Sequence, residues 1–251
     1  MHRFYLAPAQ CKENTLVLSE RDTHHARHVL RVREQERVVV LDGAGQELLC
    51  EVGKSESKQL TLALVQRNAI PPLPYQITLL QAIPKGKIIE NIIQKATELG
   101  AHRIIPLLSD RVVTQLDDES AAARGERWQL TAIEAIKQCG SAWLPQVGTP
   151  VTPKEFLASG EKFELPLIGS LQSDRRHPRE YFKNFQSEHG RLPKTVCVWV
   201  GPEGDFTPAE MNAVKSAGAN PITLGRLVLR SETAAVYALS VLNYELQAKP
   251  E

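Results

Sequence analysis

Along the chain, short runs of β-branched residues alternate with longer stretches whose apolar positions recur every three to four residues. "RVVVLDGAGQELLCEV", residues 37 to 52, predicts two strands about a glycine-containing turn at Asp42 to Gly45, and "KQLTLALVQ", residues 58 to 66, alternates as a third strand. The first 70 residues therefore read as mostly β. Beyond them, "YQITLLQAI" is a strand and "KIIENIIQKATELG" a helix with Ile88, Ile92, Ala96 and Leu99 on one face and Gly100 as its stop; "RIIPLL" is a strand again. A helix around Arg124 to Cys139, strands at Leu165 to Ile168 and Val196 to Val200, and a helix over Pro208 to Ala217 come next. The short strand "PITL" and a last helix from Glu232 to Ala248 complete the pattern. Such alternation predicts an α/β fold whose mostly parallel sheet is covered on both faces. Three prolines within "IPPLPY", residues 70 to 75, would interrupt a helix or a central strand. They divide the chain into a domain at 1–70, a linker at 71–74 and a domain at 75–251.

Two turns stand out against this pattern. In "CVWVGPEGDFTPAEM" a strand runs into Gly201-Pro202-Glu203-Gly204, and only six residues, Gly201 to Phe206, separate it from a helix start. That start has Thr207 as N-cap, Pro208 at the first helical position and Glu210 to close a capping box. Two glycines and a proline suit a sharp turn at a strand's C-terminal edge, where open α/β sheets bind ligands, although an ordinary strand-to-helix turn makes the same demands. In "LGRLVLRSETAAVYALSVL", Leu224-Gly225 ends a strand and a loop then carries Leu227, Val228 and Leu229. This loop either plugs a core or, with the first turn, closes a slot for a flat aromatic group. The helix after it places Ala235, Ala238, Leu239, Leu242 and Leu246 on one core face.

Composition narrows the picture by exclusion. The chain has 251 residues, 42% hydrophobic and 24% charged, with a formal net charge of +1, so any nucleic-acid contact must come from a local patch. Cys11, Cys50, Cys139 and Cys197 are scattered without a CxxC pair and read as reduced cysteines of a cytoplasmic protein. No secretory segment and no apolar run of membrane-spanning length is visible. "GAGQEL" lacks the third glycine of a dinucleotide fingerprint, and neither a P-loop, a GxSxG elbow nor an HExxH metal pattern occurs. The best nucleic-acid candidate is "ERDTHHARHVLRVREQER": from Arg21 to Arg37 it holds five arginines against three acids, a formal 5 − 3 = +2. Either this is a solvated helix face, or Arg27, Arg31 and Arg33 touch phosphates and fix orientation without reading bases.

Taken together and in order, "HRFYL", "HHARHVLRV", "QKATELGAHRIIPL", "VGPEGDFTPAEM" and "LGRLVLRSETAA" resemble the RsmE family of ribosomal RNA uridine methyltransferases, of the SPOUT superfamily, over nearly the whole chain. The resemblance implies an N-terminal PUA-like β-barrel that binds RNA and a C-terminal SPOUT α/β domain tied in a deep trefoil knot, an exception to the usual absence of knots. It also implies a homodimer, S-adenosylmethionine as methyl donor, no metal, and methylation of uridine N3 in 16S rRNA of the assembled small subunit. A ribose 2′-O-methyltransferase of related fold and a non-catalytic RNA-binding protein are the alternatives. Carried over by position, Val200, Gly201, Glu203 and Gly204 form one wall of the cofactor site. Leu224, Gly225, Leu227, Leu229 and Arg230 form the other, and Gly169, Ser170 and Leu171 supply a third segment. Arg230 is the candidate cation for charge developing on uracil, and Glu203 either accepts a proton or orients Arg230 and the loop. Two positions depart from the family: Asp205 stands where it has glycine, and Ser141 where an arginine is expected.

Overall fold

The computed structural model describes residues 1–53, 59–111 and 118–247. Two units emerge: residues 1–72 with 133–144, and residues 73–132 with 145–251. The sequence reading assigned 133–144 with the rest of 75–251, whereas these residues group with the N-terminal unit.

The first unit contains β1 (Arg3–Tyr5), β2 (Thr15–Val17), β3 (Arg37–Leu41), β4 (Gln46–Val52) and β5 (Thr61–Ala69), in the sheet order β1-β3-β4-β5-β2. β1 pairs parallel to β3 and the other pairs are antiparallel. A barrel was expected, but among the described residues the ladder leaves β1 and β2 as open edges, so the sheet is a half-barrel. Its core is Phe4, Leu16, Leu18, Val38, Val40, Leu48, Cys50 and Leu62, all essentially inaccessible to solvent. Lys58, which the sequence placed in the third strand, lies outside the described residues, and β5 runs on to Ala69. The arginine-rich stretch forms only a short helix, α1 (Glu20–His24), capped by the Ser19 hydroxyl, and then widens into a π-helical turn at His25–Val29.

The second unit follows the alternation read from the sequence. Its strands are β6 (Gln76–Ala82), β7 (Arg103–Leu107), β8 (Gln146–Val147), β9 (Leu165–Gly169), β10 (Thr195–Val200) and β11 (Asn220–Ile222). Its helices are α2 (Ile88–Glu98), α3 (Asp118–Cys139, whose residues from Ile133 on belong to the first unit), α4 (Pro153–Ala158), α5 (Pro178–His189), α6 (Pro208–Ser216) and α7 (Ser231–Leu246). All strand pairs are parallel and the order is β11-β9-β10-β6-β7-β8. Alternation along β6 and β10 sends Leu80, Ala82, Cys197 and Trp199 toward Met211 and Val214 of α6 and Phe156 of α4, where Trp199 meets Phe156 edge-on at 5.4 Å. On the opposite face α7 packs against β6, β10, α2 and α5. The buried face of α2 is Ile89, Ile92, Ile93 and Ala96, with Ile88 and Leu99 only partly covered, so the expected stripe is rotated by one residue. Gly100, with φ of 75°, does stop that helix. The last helix ends at Leu246, and Ala248 lies outside the described residues.

Candidate functional site

Parallel strands deliver their following turns to one end of a sheet, and β9, β10 and β11 deliver theirs side by side. The turns after these three strands enclose a cleft of about 650 Å³, lined from Gly169, Ser170, Leu171 and Arg175, from Val200 to Glu203 with Asp205, and from Thr223 to Gly225 with Leu227 to Leu229. Ser231 and Ala234 of α7 close it from behind.

Each turn is held by local chemistry. Ser170 N–H donates to the Ile222 carbonyl at 3.0 Å, and Thr223 Oγ1 both accepts from Gly225 N–H at 3.2 Å and donates to its carbonyl at 3.0 Å. Gly225 sits at φ of 114°, a region that L side chains avoid. In the β10 turn, Asp205 N–H donates to the Pro202 carbonyl at 3.0 Å, and Asp205 itself takes φ of 61°. Its Oδ1 accepts from Phe206 N–H at 2.8 Å, which helps an aspartate hold this left-handed bend. Burial pushes the Asp205 carboxyl up from its ordinary pKa, while the Phe206 N–H and the nearby Arg111 guanidinium act in the opposite direction.

The same turn is tied to its neighbours at three points. Gly201 carbonyl accepts from Ser231 Oγ at 2.8 Å, and Ser231 Oγ accepts from Gln81 Nε2 at 3.0 Å. Glu203 Oε1 accepts from Lys85 N–H at 3.1 Å, and the Gly204 carbonyl accepts from Arg111 Nη1. Glu210, nearly buried, closes the predicted capping box with Thr207 and also accepts from Asp110 N–H at 2.9 Å. Glycine at 201 is demanded by this packing, because a Cβ there would lie 2.9 Å from Asp205 Oδ1 and 3.2 Å from its Cα.

Of the residues read from the sequence, Gly169, Ser170, Leu171, Val200, Gly201, Glu203, Leu224, Gly225, Leu227 and Leu229 line the cleft. Gly204 and Arg230 do not: Gly204 faces Arg111, and Arg230 is exposed at the N-cap of α7, just past the cleft wall. Leu227 and Val228 are 79% and 77% exposed, so the apolar loop is a wall and not a core plug. Sequence reasoning did not single out Arg175, Asp205 as a lining group, or Ser231. Arg175 Nη1 donates to the carbonyls of Leu171 and Gln172. In the N-terminal unit, Arg31 and Arg33 are exposed beyond the π-helical turn, whereas Arg27 is partly buried there. Ser141 Oγ donates to the Trp143 carbonyl at 2.8 Å and accepts from Trp143 N–H at 3.2 Å, closing the bend after α3.

The cleft fits a nucleoside with a charged tail. Its walls are leucine and peptide backbone, with the side chains of Arg175, Glu203 and Asp205 among the lining groups. Gln81 is inaccessible to solvent and its Oε1 finds no partner among the described residues. No cluster of metal-ligating side chains exists among the described residues, and no described helix is long and apolar enough to cross a membrane.

An RNA methyltransferase domain model matches residues 71–243, and an RNA methyltransferase PUA domain model matches residues 18–65. The ribosomal RNA small subunit methyltransferase E of Bacillus subtilis is 31% identical, over 98% of this chain and 98% of that protein. A structure of the Neisseria gonorrhoeae ribosomal RNA small subunit methyltransferase E bound to S-adenosyl methionine superposes with a TM-score of 0.82 at 29% identity, covering 96% of both chains. A Legionella pneumophila putative methyltransferase in complex with the same cofactor gives 0.85 at 31% identity, again over 96% of each.

Proposed function

The chain belongs to the ribosomal RNA small subunit methyltransferase E family, and from that premise we propose that it transfers the methyl group of S-adenosylmethionine to N3 of a uridine in 16S rRNA within the small ribosomal subunit. The observation that carries this reading is the single cleft in which three strand-end turns converge at the C-terminal edge of the parallel sheet. Its backbone groups and its leucines Leu171, Leu224, Leu227 and Leu229 hold the nucleoside part of the methyl donor, which supplies an electrophilic methyl group when bound. The chain's own work is to place the uracil in line with that methyl and to stabilise the charge left as N3 loses its proton. Arg230 takes the second role. Glu203, whose Oε1 is engaged by Lys85 N–H, holds the loop. Nucleoside mass spectrometry of small subunits treated with the enzyme and labelled cofactor tests the assignment: N3-methyluridine is expected. A 2′-O-methylated nucleoside, or cofactor binding without product, would replace it with the ribose-methylating or the non-catalytic reading.

The deep knot belongs to the same reading. It is supported by the path of the chain, which leaves β11 at the sheet edge and returns past the β10 turn, where Ser231 meets Gly201, to lay α7 against β6 and α2. The protein acts in the cytoplasm, where its ribosomal substrate resides.

A homodimer through α7 is also proposed. Opposite the buried face of α7, Thr233, Tyr237, Ser240 and Tyr244 form an uncharged stripe, with Tyr237 and Tyr244 45% and 69% exposed. Aromatic residues on an otherwise satisfied helix are typical anchors of protein interfaces. Light scattering at micromolar concentration is expected to give a dimer, and Tyr237→Arg with Tyr244→Arg a monomer. A wild-type monomer would refute the assignment.

The N-terminal unit docks the RNA. Reversing Arg31 and Arg33, the exposed members of the trio Arg27, Arg31 and Arg33, to glutamate is expected to weaken RNA binding and to reduce the slope of log K against log salt by about 1.4–1.8, the value for two phosphate contacts. Cofactor affinity should be unchanged. An unaltered salt slope would make the patch a solvated surface only.

A further inference from the structure

We propose that Asp205 makes the cleft selective by charge, so that it favours the cationic methyl donor over the neutral thioether product, S-adenosylhomocysteine. The inference rests on the cofactor reading above and adds a determinant specific to this chain. Donor and product share an adenosine, an α-ammonium and a carboxylate; they differ by one methyl group and one positive charge at sulfur. A site built of leucines and peptide dipoles has little with which to sense that charge, whereas a fixed carboxylate in the wall senses it directly.

Asp205 is placed to be that carboxylate. It lines the cleft from the β10 turn, half-buried, with its Oδ1 2.9 Å from the position a Cβ at Gly201 would take. Its position does not depend on a flexible stem: φ of 61°, the N–H bond to the Pro202 carbonyl and the bond from Phe206 N–H to Oδ1 hold backbone and side chain together. The other charges around the cleft are held in bonds of their own, and Arg111 lies near enough to act on the Asp205 carboxyl without bonding to it. Arg175 is bonded to the carbonyls of Leu171 and Gln172, Glu203 is exposed and holds Lys85 N–H, and Arg111 is spent on the Gly204 carbonyl. Of the two carboxylates that line the cleft, Glu203 is exposed and Asp205 is the half-buried one, so solvent screens Asp205 less.

The consequence for turnover is direct. After methyl transfer the attraction at sulfur disappears, and the product is held less tightly than a charge-blind cleft would hold it. Calorimetric titration of S-adenosylmethionine and of S-adenosylhomocysteine into the wild-type protein, Asp205→Asn and Asp205→Gly measures the effect. Asparagine preserves the Oδ1 acceptor for Phe206 N–H, and glycine suits φ of 61°, so two independent variants remove the charge while keeping the turn. In both variants the ratio of donor to product affinity is expected to fall about fivefold, the size of one charge interaction at about 4 Å under water-like screening. Product affinity should stay within about twofold by the same reckoning, because the thioether carries no charge. Equal weakening of both ligands would overturn the proposal and make Asp205 a neutral acceptor or a support for the turn, and an unchanged ratio would overturn it as well. Failure of the wild-type protein to bind either ligand would instead overturn the cofactor assignment, and this inference with it.

Discussion

Gly201→Val is expected to weaken cofactor binding about tenfold to a hundredfold or more while leaving the protein folded. A Cβ at this position would stand 2.9 Å from Asp205 Oδ1, 3.2 Å from Asp205 Cα and 3.3 Å from Phe206 N, and two of these three atoms are backbone. The turn must open to admit valine, and it cannot open freely, because the Gly201 carbonyl is bonded to Ser231 and the next residues are held by Lys85 and Arg111. Overpacking of this kind costs ~1–3 kcal/mol. Spent on the cleft wall, that is a loss of about tenfold to a hundredfold in affinity, before any direct collision with ligand. Gly204→Ala is the control: its Cβ would meet only the flexible Arg111 side chain at 3.4 Å, so binding near the wild-type level is expected. Gly225→Ala adds a second test of the wall: no protein atom lies within 4 Å of its Cβ yet φ is 114°, so a loss of stability there reports backbone strain. Calorimetry on variants checked by thermal melting measures all three, and a Gly201→Val protein with wild-type affinity would remove the β10 turn from the site.

The β10 turn was legible because its signals are local. The strand Val196 to Val200, the glycines and the Thr207-Pro208-Ala209-Glu210 cap lie within fifteen residues, and each makes the contact its type predicts. The same cap recurs as Thr152-Pro153-Lys154-Glu155, where Glu155 accepts from Thr152 N–H at 2.7 Å to open α4, a helix the apolar pattern alone does not reveal because it spans barely two turns. α5 begins with a weaker signal, the ring of His177 accepting from Arg179 N–H at 3.3 Å ahead of Pro178. In α2 the doublets Ile88-Ile89 and Ile92-Ile93 support two overlapping stripes, and only packing against α7 selects the inner one. Non-local contacts carry no such trace. Ser231 enters the site through Gln81, 150 positions away, and residues 133–144 join the N-terminal unit because Ile136 and Ala142 pack on Val39 and Leu41. The role of Asp205 is intermediate, since a residue other than glycine at a glycine position is visible in sequence, but its positive φ and its bond to Phe206 are visible only in three dimensions.

Arg230→Ala is expected to slow methyl transfer on the order of a hundredfold while changing cofactor affinity little. Arg230 is the N-cap of α7, yet its side chain makes no capping bond; the helix is begun by the backbone, with Ala234 N–H donating to the Arg230 carbonyl at 2.8 Å. Truncation should therefore leave the helix intact. The side chain does not line the cleft either, which argues against a role in holding the nucleoside. Pairing with Glu203 or Glu232 would have made it a strut for the loop, but no ion pair joins Arg230 to either among the described residues, and the Oε1 of Glu203 is engaged by Lys85. What remains is an exposed guanidinium at the rim of the cleft, on the residue that joins the apolar loop to α7. As uracil loses its N3 proton, negative charge spreads onto O2 and O4, and a guanidinium can meet either with two parallel donors. Removing a preorganised contact of this type costs ~3 kcal/mol of transition-state stabilisation, which sets the hundredfold expectation. Single-turnover kinetics with saturating cofactor and small subunits isolate the chemical step, and calorimetry reports the affinity separately. Arg230→Lys adds a discriminating readout: it keeps the charge but loses the two-pronged geometry, so partial recovery of the rate is expected if charge dominates and none if geometry does. Wild-type turnover by the alanine variant would exclude Arg230 from the chemistry, and a loss confined to cofactor affinity would make it a support for the cofactor loop instead.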